Sequence, residues 1–239
     1  IRNYLHSLDE VFISLMAYYM KRNRIEAAYF PYIIKKYRVI AHRSFYSLEG
    51  ALLELLNEPS IYCRENAMQA LYTTGDVDCI IKAIKTIDRN DLFYHRKLLS
   101  DGLLNFAGSS NTLGKKVIEN FFDFSVGMQV TLLDYLRFSG SEYQKFALSL
   151  LINEDLNDEI RYAAIRYLGK YPFSKAYEAL CGFAEENSEQ KWEYAAIAST
   201  ALGSYPCENT VHILKKNLYS RNWYIRLNSA ASLKNLGIT

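Results

Sequence analysis

A chain of 239 residues, half of them apolar and with only four prolines and eleven glycines, can bury a sizeable core and shows no Pro-, Gly- or Ser-rich linker. Net charge is +2, and no run of about 18 apolar residues free of charges occurs, so neither a strong basic surplus nor a membrane-spanning segment is present. The four cysteines (Cys63, Cys79, Cys181, Cys207) have no CxxC pair and no metal-ligand spacing, and they read as reduced core residues of a cytosolic protein.

In chain order, Leu8, Val11, Phe12, Leu15 and Tyr19 make a first amphipathic helix, and Pro31 through Ala41, with Ile33, Ile34, Tyr37 and Ile40, a second. Between and within them lies the basic part of the chain. Lys21, Arg22, Arg24, Lys35, Lys36, Arg38 and Arg43 stand against Glu26 alone, so residues 21–43 carry +6, residues 1–20 carry −1 and the remainder −3. We expect residues 1–45 to form an N-terminal helical cap over the open end of the remaining helices. Its basic patch, Lys35, Lys36 and Arg38 above all, would face acidic lipid or an acidic partner. No signal-peptide pattern is visible, and an anchor upstream of Ile1 would suit the positive segment.

From residue 46 to residue 239 a leucine returns at nearly constant distance: Leu71, Leu103, Leu136, Leu168, Leu202 and Leu233, at steps of 32, 33, 32, 34 and 31. Such a period marks stacked supersecondary units, none of which buries its apolar face alone. Each unit reads as two helices. First helices are expected over 48–58, 77–87, 112–122, 141–152, 174–185 and 207–219. The second helices hold Cys63-Arg64, His95-Arg96, Met128-Gln129, Ile160-Arg161 and Ile225-Arg226, the polar member always seven residues before a periodic leucine. Ser60, Ser125, Asn157 and Asn222 stand at the N-cap position four residues earlier. On this frame His95 falls at a core position. Tyr162-Ala163-Ala164-Ile165 recurs at Tyr194 after 32 residues, whereas Leu168-Gly169 recurs at Leu202-Gly203 after 34. Two extra residues between 198 and 201 therefore predict a longer or irregular helix there.

A hydrophobic residue followed by Arg, small residues three or four later, then Leu or Leu-Gly resembles the HEAT-repeat family. The resemblance covers about residues 46–239 and is strongest over 157–172 and 222–237. It implies an all-α, right-handed superhelical solenoid of about six helix pairs, with the second helices lining the concave face.

Catalytic patterns are sparse. His6, His42, His95 and His212 are scattered without a carboxylate or second His at ligand spacing, so no metal and no cofactor is expected. Gly108 to Lys116 has one residue too many between its glycines, and a Lys where Ser or Thr should hold magnesium, so it is no phosphate loop. Glu154, Asp155, Asp158 and Glu159 crowd one loop, but Leu156 breaks a calcium series, and first-turn helix charge accounts for them. HEAT-like DNA glycosylases use tryptophans and an aspartate beside a basic groove. Here Trp192 and Trp223 have no such aspartate, and a repeat body of −3 does not suit nucleic acid.

The stripe of the second helices opposite the core contains Tyr62, Asn66, Gln69 and Thr73, then Tyr94, Lys97, Asp101 and Asn105. It continues through Thr131, Asp134 and Phe138, then Glu159, Arg166 and Lys170, then Tyr224, Asn228 and Asn235. Tyr62, Tyr94 and Tyr224 share a frame position. Tyrosines among mixed charges and amides suit a protein or peptide ligand, and equally suit seams between neighbouring helices. The expected function is a non-enzymatic cytoplasmic scaffold that binds a protein or peptide through Tyr62, Tyr94, Lys97, Asp101, Glu159, Arg166, Tyr224 and Asn228. The alternative is a membrane-associated accessory protein docked by Lys35, Lys36 and Arg38 at the inner face of a membrane.

Overall fold

Side-chain caps begin many of the helices. The carbonyl or carboxylate oxygens of Asn23, Asp76, Asn157 and Asn222 accept the orphan amides of the first turn, at 2.8 to 3.4 Å. Ser125 accepts the Met128 amide and is itself held by the Asp88 carboxylate, whereas the Ser60 hydroxyl, at its N-cap position, makes no capping bond. In the computed structural model the described residues are 8–41, 46–90, 94–186 and 189–238, so His6, His42 and Arg43 lie outside them. The described residues form fourteen α-helices and four 3₁₀ turns, with no strand.

The chain divides into two units, one ending at Thr131 and one beginning at Leu132. The first unit contains α1 (Asp9–Met20), α2 (Arg24–Lys36), a 3₁₀ turn (Val39–Ala41), α3 (Tyr46–Leu55), α4 (Ile61–Leu71), α5 (Val77–Arg89), α6 (Arg96–Leu103), α7 (Ser110–Glu119) and the start of α8 (Val126–Ser139). There α3 pairs with α4, the first helices α3, α5 and α7 pack in sequence, and α2 lies along α4. The second unit holds the rest of α8, then α9 (Gln144–Ile152), α10 (Asp158–Lys170), α11 (Tyr177–Ala184), α12 (Trp192–Leu202), α13 (Glu208–Asn217) and α14 (Trp223–Asn235). Its pairs are α9/α10, α11/α12 and α13/α14. Second helices α10, α12 and α14 pack side by side in one layer, and α11 packs on α13 in the other. This is the helix-pair repeat of an α-solenoid. All six periodic leucines are buried.

The polar member of the repeated dipeptide has a structural use. Arg64 donates to the carbonyls of Glu58 and Pro59 at 2.6 and 2.9 Å, and Arg226 to those of Ser220 and Arg221 at 2.7 and 2.8 Å. Arg161 reaches the Leu151 carbonyl at 3.0 Å, and Gln129 the Phe121 carbonyl at 3.1 Å. Each therefore ties the second helix to carbonyls at or just beyond the end of the first. Bonds between neighbouring pairs repeat the same economy: Asn217 to Ala184 O, Asn228 to Ala196 O and Asn90 to Leu56 O lie 32 to 34 residues apart.

Tyrosine fills many seams. The Tyr205 hydroxyl donates to Leu168 O and accepts from Phe173 N, both at 3.0 Å, and Tyr167 does the same with Gly140 O and Tyr143 N. Close approach of the second helices needs small residues. A Cβ on Gly169 would sit 2.8 Å from Ala201 Cα, and one on Gly203 would sit 2.8 Å from Ser232 Oγ.

The helical run that carries the two extra residues is irregular at its start: the 3₁₀ turn Glu189–Lys191 leads directly into α12, itself 11 residues against the 13 of α10. Several expectations are corrected. His95 is an exposed N-cap of α6, not a core residue, because that helix starts later than the frame predicts. Cys207 is exposed, at the N-cap of α13, while Cys63, Cys79 and Cys181 are buried; all four are free thiols. Thr131, placed on the outer stripe, is buried with its hydroxyl turned to the Gly127 carbonyl. At the N-terminus no residue of α1 is buried, and the second helix begins at Arg24 behind Asn23 and contains Pro31 within it.

This packing predicts two outcomes. Replacing Arg161 by Met should lower stability by about 2 kcal/mol in urea unfolding. The change orphans the Leu151 carbonyl and removes a guanidinium lying 5.2 and 5.1 Å from the Phe183 and Tyr194 rings. Lys175→Ala, at an exposed site, should change it by less than about 0.5 kcal/mol. The second outcome concerns alkali. Burial pushes the Tyr135, Tyr162 and Tyr167 hydroxyls up to about 12 from an ordinary 10.0. Between these values the unfolded chain holds fewer protons than the fold, so their stabilisation is complete below about pH 10 and is lost as pH rises toward 12. The urea midpoint should fall through that window; a flat midpoint would refute the assignment.

Candidate binding groove

On α2, Ile25, Tyr29 and Tyr32 stand at i, i+4 and i+7, so they share one helical face. On α4, Tyr62 and Asn66 do the same, and the Asn66 amide donates to the Ala28 carbonyl at 2.9 Å, seating one helix on the other. Tyr19 of α1 completes a groove of about 800 Å³ between them. Its walls are mainly aromatic. Tyr62 is 75% exposed, Tyr29 52% and Ile25 83%, an unusual amount of large apolar surface to leave in water.

Ring geometry holds the groove in shape. Tyr29 and Tyr32 stack with centroids 5.9 Å apart, and Tyr19 meets Tyr29 at 6.5 Å and Phe30 at 6.1 Å. Basic side chains lie over the adjoining rings. The Arg22 guanidinium is 4.6 Å from the Tyr18 centroid, and Lys36 lies 5.8 and 5.6 Å from those of Tyr32 and Tyr37. Glu26, 3.9 Å from Arg22 and hydrogen-bonded to Asn23 at 2.6 Å, is the carboxylate lining the groove.

The structure distributes the expected contact residues unevenly. Tyr62 joins the groove. Tyr94 precedes α6 instead of lying in its first turn, is half-buried, and bonds the Glu65 carboxylate of α4, so it fills a seam. Lys97 and Asp101 are exposed on α6. In the second unit Tyr224 stacks on Trp192 at 5.3 Å and meets Trp223 edge-on at 5.1 Å, and Asn228 is spent on the Ala196 carbonyl. Glu159 is exposed, and Arg166 is half-buried beside Asp134 and Arg137. Lys36 and Arg38 are exposed, and Lys35 is half-buried.

Tyr19, Ile25, Tyr29 and Tyr32 are absent from the contact residues expected from sequence. Their signal was present: Asn23 followed by Glu26 is a helix-start pattern, and a helix begun there places Ile25, Tyr29 and Tyr32 on one face. Among the described residues no cluster of His, Cys, Asp or Glu could hold a metal ion, and no helix is long and apolar enough to cross a membrane.

No family model and no curated protein matches the chain. Solved structures similar to it include an engineered protein at 16% identity and a TM-score of 0.42, covering 97% of this chain and 68% of that one. A designed armadillo repeat protein is 15% identical with a TM-score of 0.36, covering 93% of this chain and 98% of that one. Another, in complex with the peptide (KR)4, is 14% identical with a TM-score of 0.38, covering 90% and 95%. The helix-pair array rests on the helix contacts within each unit and not on these likenesses.

Separating seam from surface is a matter of thermal stability. Tyr94→Ala should lower the melting temperature by several degrees, since it strips a half-buried ring and a carboxylate partner from α4. Tyr62→Ala should leave it within about 1 °C.

Proposed function

We propose that this protein is a non-enzymatic helical-repeat scaffold that binds a protein or peptide. One observation carries the reading: an open groove walled by Tyr19, Tyr29, Tyr32 and Tyr62, with the rings of Tyr29, Tyr32 and Tyr62 left in water. Tyrosine buries a large area with few torsions to freeze, and its hydroxyl keeps a polar contact, which is why it concentrates in protein-binding surfaces. Tyr94, Lys97, Asp101, Glu159, Arg166, Tyr224 and Asn228 are secondary contacts in this reading, with Tyr94 and Asn228 partly committed to packing. Three buried free thiols fit work in the reducing cytoplasm.

A second reading is supported by the same end of the chain. Lys36 lies over Tyr32 and Tyr37, beside Lys35 and Arg38, and aromatic rings next to lysines also suit the headgroup layer of an anionic membrane.

Selection from a displayed peptide library on the native chain, followed by binding to a Tyr29→Ala/Tyr62→Ala variant, tests the first reading. Selected peptides should lose about tenfold or more in affinity on the variant at an unchanged melting temperature, the size of loss expected when two anchoring rings are truncated. Equal affinity for both forms would refute the groove. Salt-sensitive sedimentation with phosphatidylserine vesicles, lost on changing Lys35, Lys36 and Arg38 to Gln, would favour the membrane instead.

A further inference from the structure

In the second unit, α8 and α10 present a small constellation that the groove does not use. Phe138 of α8 is 51% exposed, with the Arg137 guanidinium 4.9 Å and the Lys170 ammonium 4.2 Å from its centroid. Lys170 is therefore held over a ring instead of sweeping freely through solvent, which lowers the entropy lost when it meets a ligand. Arg137 is matched by Asp134 at 3.1 Å. Arg166, one turn before Lys170 on α10, is half-buried, with Asp134, Arg137 and Glu159 as its charged neighbours. Its guanidinium makes no hydrogen bond or close ion pair with any described residue, and Lys170 likewise has no ion pair among them. Asp134 is already taken, and Glu159 is exposed to water. Two positive charges on one face of α10 thus lack a committed counter-charge.

We propose that Arg166, together with Lys170 held over the Phe138 ring, forms a docking site for an extended acidic peptide whose carboxylates occur at alternate residues. The geometry selects that spacing. Residues four apart on a helix are separated by about 6 Å along its axis. Side chains two apart in an extended strand lie on the same side about 6.6 Å apart. Two glutamates or aspartates separated by one residue therefore reach Arg166 and Lys170 together, the fork of Arg166 taking one carboxylate through two donors. The exposed edge of Phe138 adds apolar contact for the carboxylate stems. This deepens the scaffold reading and rests on it, but at a surface separate from the tyrosine groove.

Fluorescence anisotropy with a labelled peptide of alternating Glu and Ser tests it, with Gln-Ser and Lys-Ser peptides as controls. The native chain should prefer the Glu-Ser peptide, with affinity falling as salt rises. Arg166→Gln and Lys170→Gln should each weaken it roughly fivefold, the upper end for an exposed ion pair, at an unchanged melting temperature. An Arg166→Glu/Lys170→Glu variant should reverse the preference toward the Lys-Ser peptide. Equal binding of Glu-Ser and Gln-Ser, no loss in the variants, or attraction only to anionic vesicles would overturn the proposal. The Tyr29→Ala/Tyr62→Ala variant separates the two ideas. If library peptides still depend on the groove while Glu-Ser does not bind, only the acidic site fails. If Glu-Ser binds through Arg166 and Lys170 while no peptide depends on the tyrosines, only the groove reading fails.

Discussion

The constraint on which this protein depends is that a helix pair cannot satisfy itself. Each pair leaves an apolar face and a set of helix-end carbonyls that must be covered by the second helix of the pair or by the next pair in the same unit. The side chains that do this are long and polar at the tip. Arg64, Arg161 and Arg226 reach carbonyls at the end of the preceding helix or its loop, and Tyr167, Tyr205 and Asn217 reach across to the neighbouring pair. An apolar residue of similar length in place of Arg161 would fill the same space but leave the buried Leu151 carbonyl without a donor. The small residues complete the arrangement: Gly169 and Gly203 let the second helices approach Ala201 and Ser232 closely enough for those bonds to form.

This economy decides which surface is left for other work. A tyrosine committed to a seam has its hydroxyl engaged, so Tyr167 and Tyr205 have little to offer a ligand, and Tyr94 and Asn228 offer only what packing leaves free. Around α2 and α4 the pattern is inverted. One amide bond, from Asn66 to Ala28, seats the two helices, and the tyrosines beside it remain in water. On α8 and α10 the same inversion involves charge: Arg137 has an ion-pair partner in Asp134, whereas Arg166 and Lys170 form no close ion pair among the described residues.

Much of the architecture is legible in the chain itself. A leucine recurring every 31 to 34 residues, with a cap residue and a hydrophobic-polar dipeptide in front of it, identifies the second helices because burial and capping are local demands on spacing. Less legible were the N-terminal helices. Pro31 reads as a helix start, yet it sits inside α2, where the helix tolerates one missing amide and packing against α4 holds it in place. The tyrosine groove was hidden by that displaced boundary, since Ile25, Tyr29 and Tyr32 share a face only in a helix that spans all three, as the one begun at Arg24 does.

Local patterning thus sets which residues are helical and which are buried, because hydrophobic periodicity and capping act within a few turns. It leaves open which of twenty tyrosines serve as mortar and which stay in water. That choice rests on whether a carbonyl or carboxylate from an element some 25 to 38 residues away lies within hydrogen-bond reach of each hydroxyl, as it does for Tyr94, Tyr167, Tyr194 and Tyr205. Distance across the fold, unlike spacing along the chain, is a product of packing.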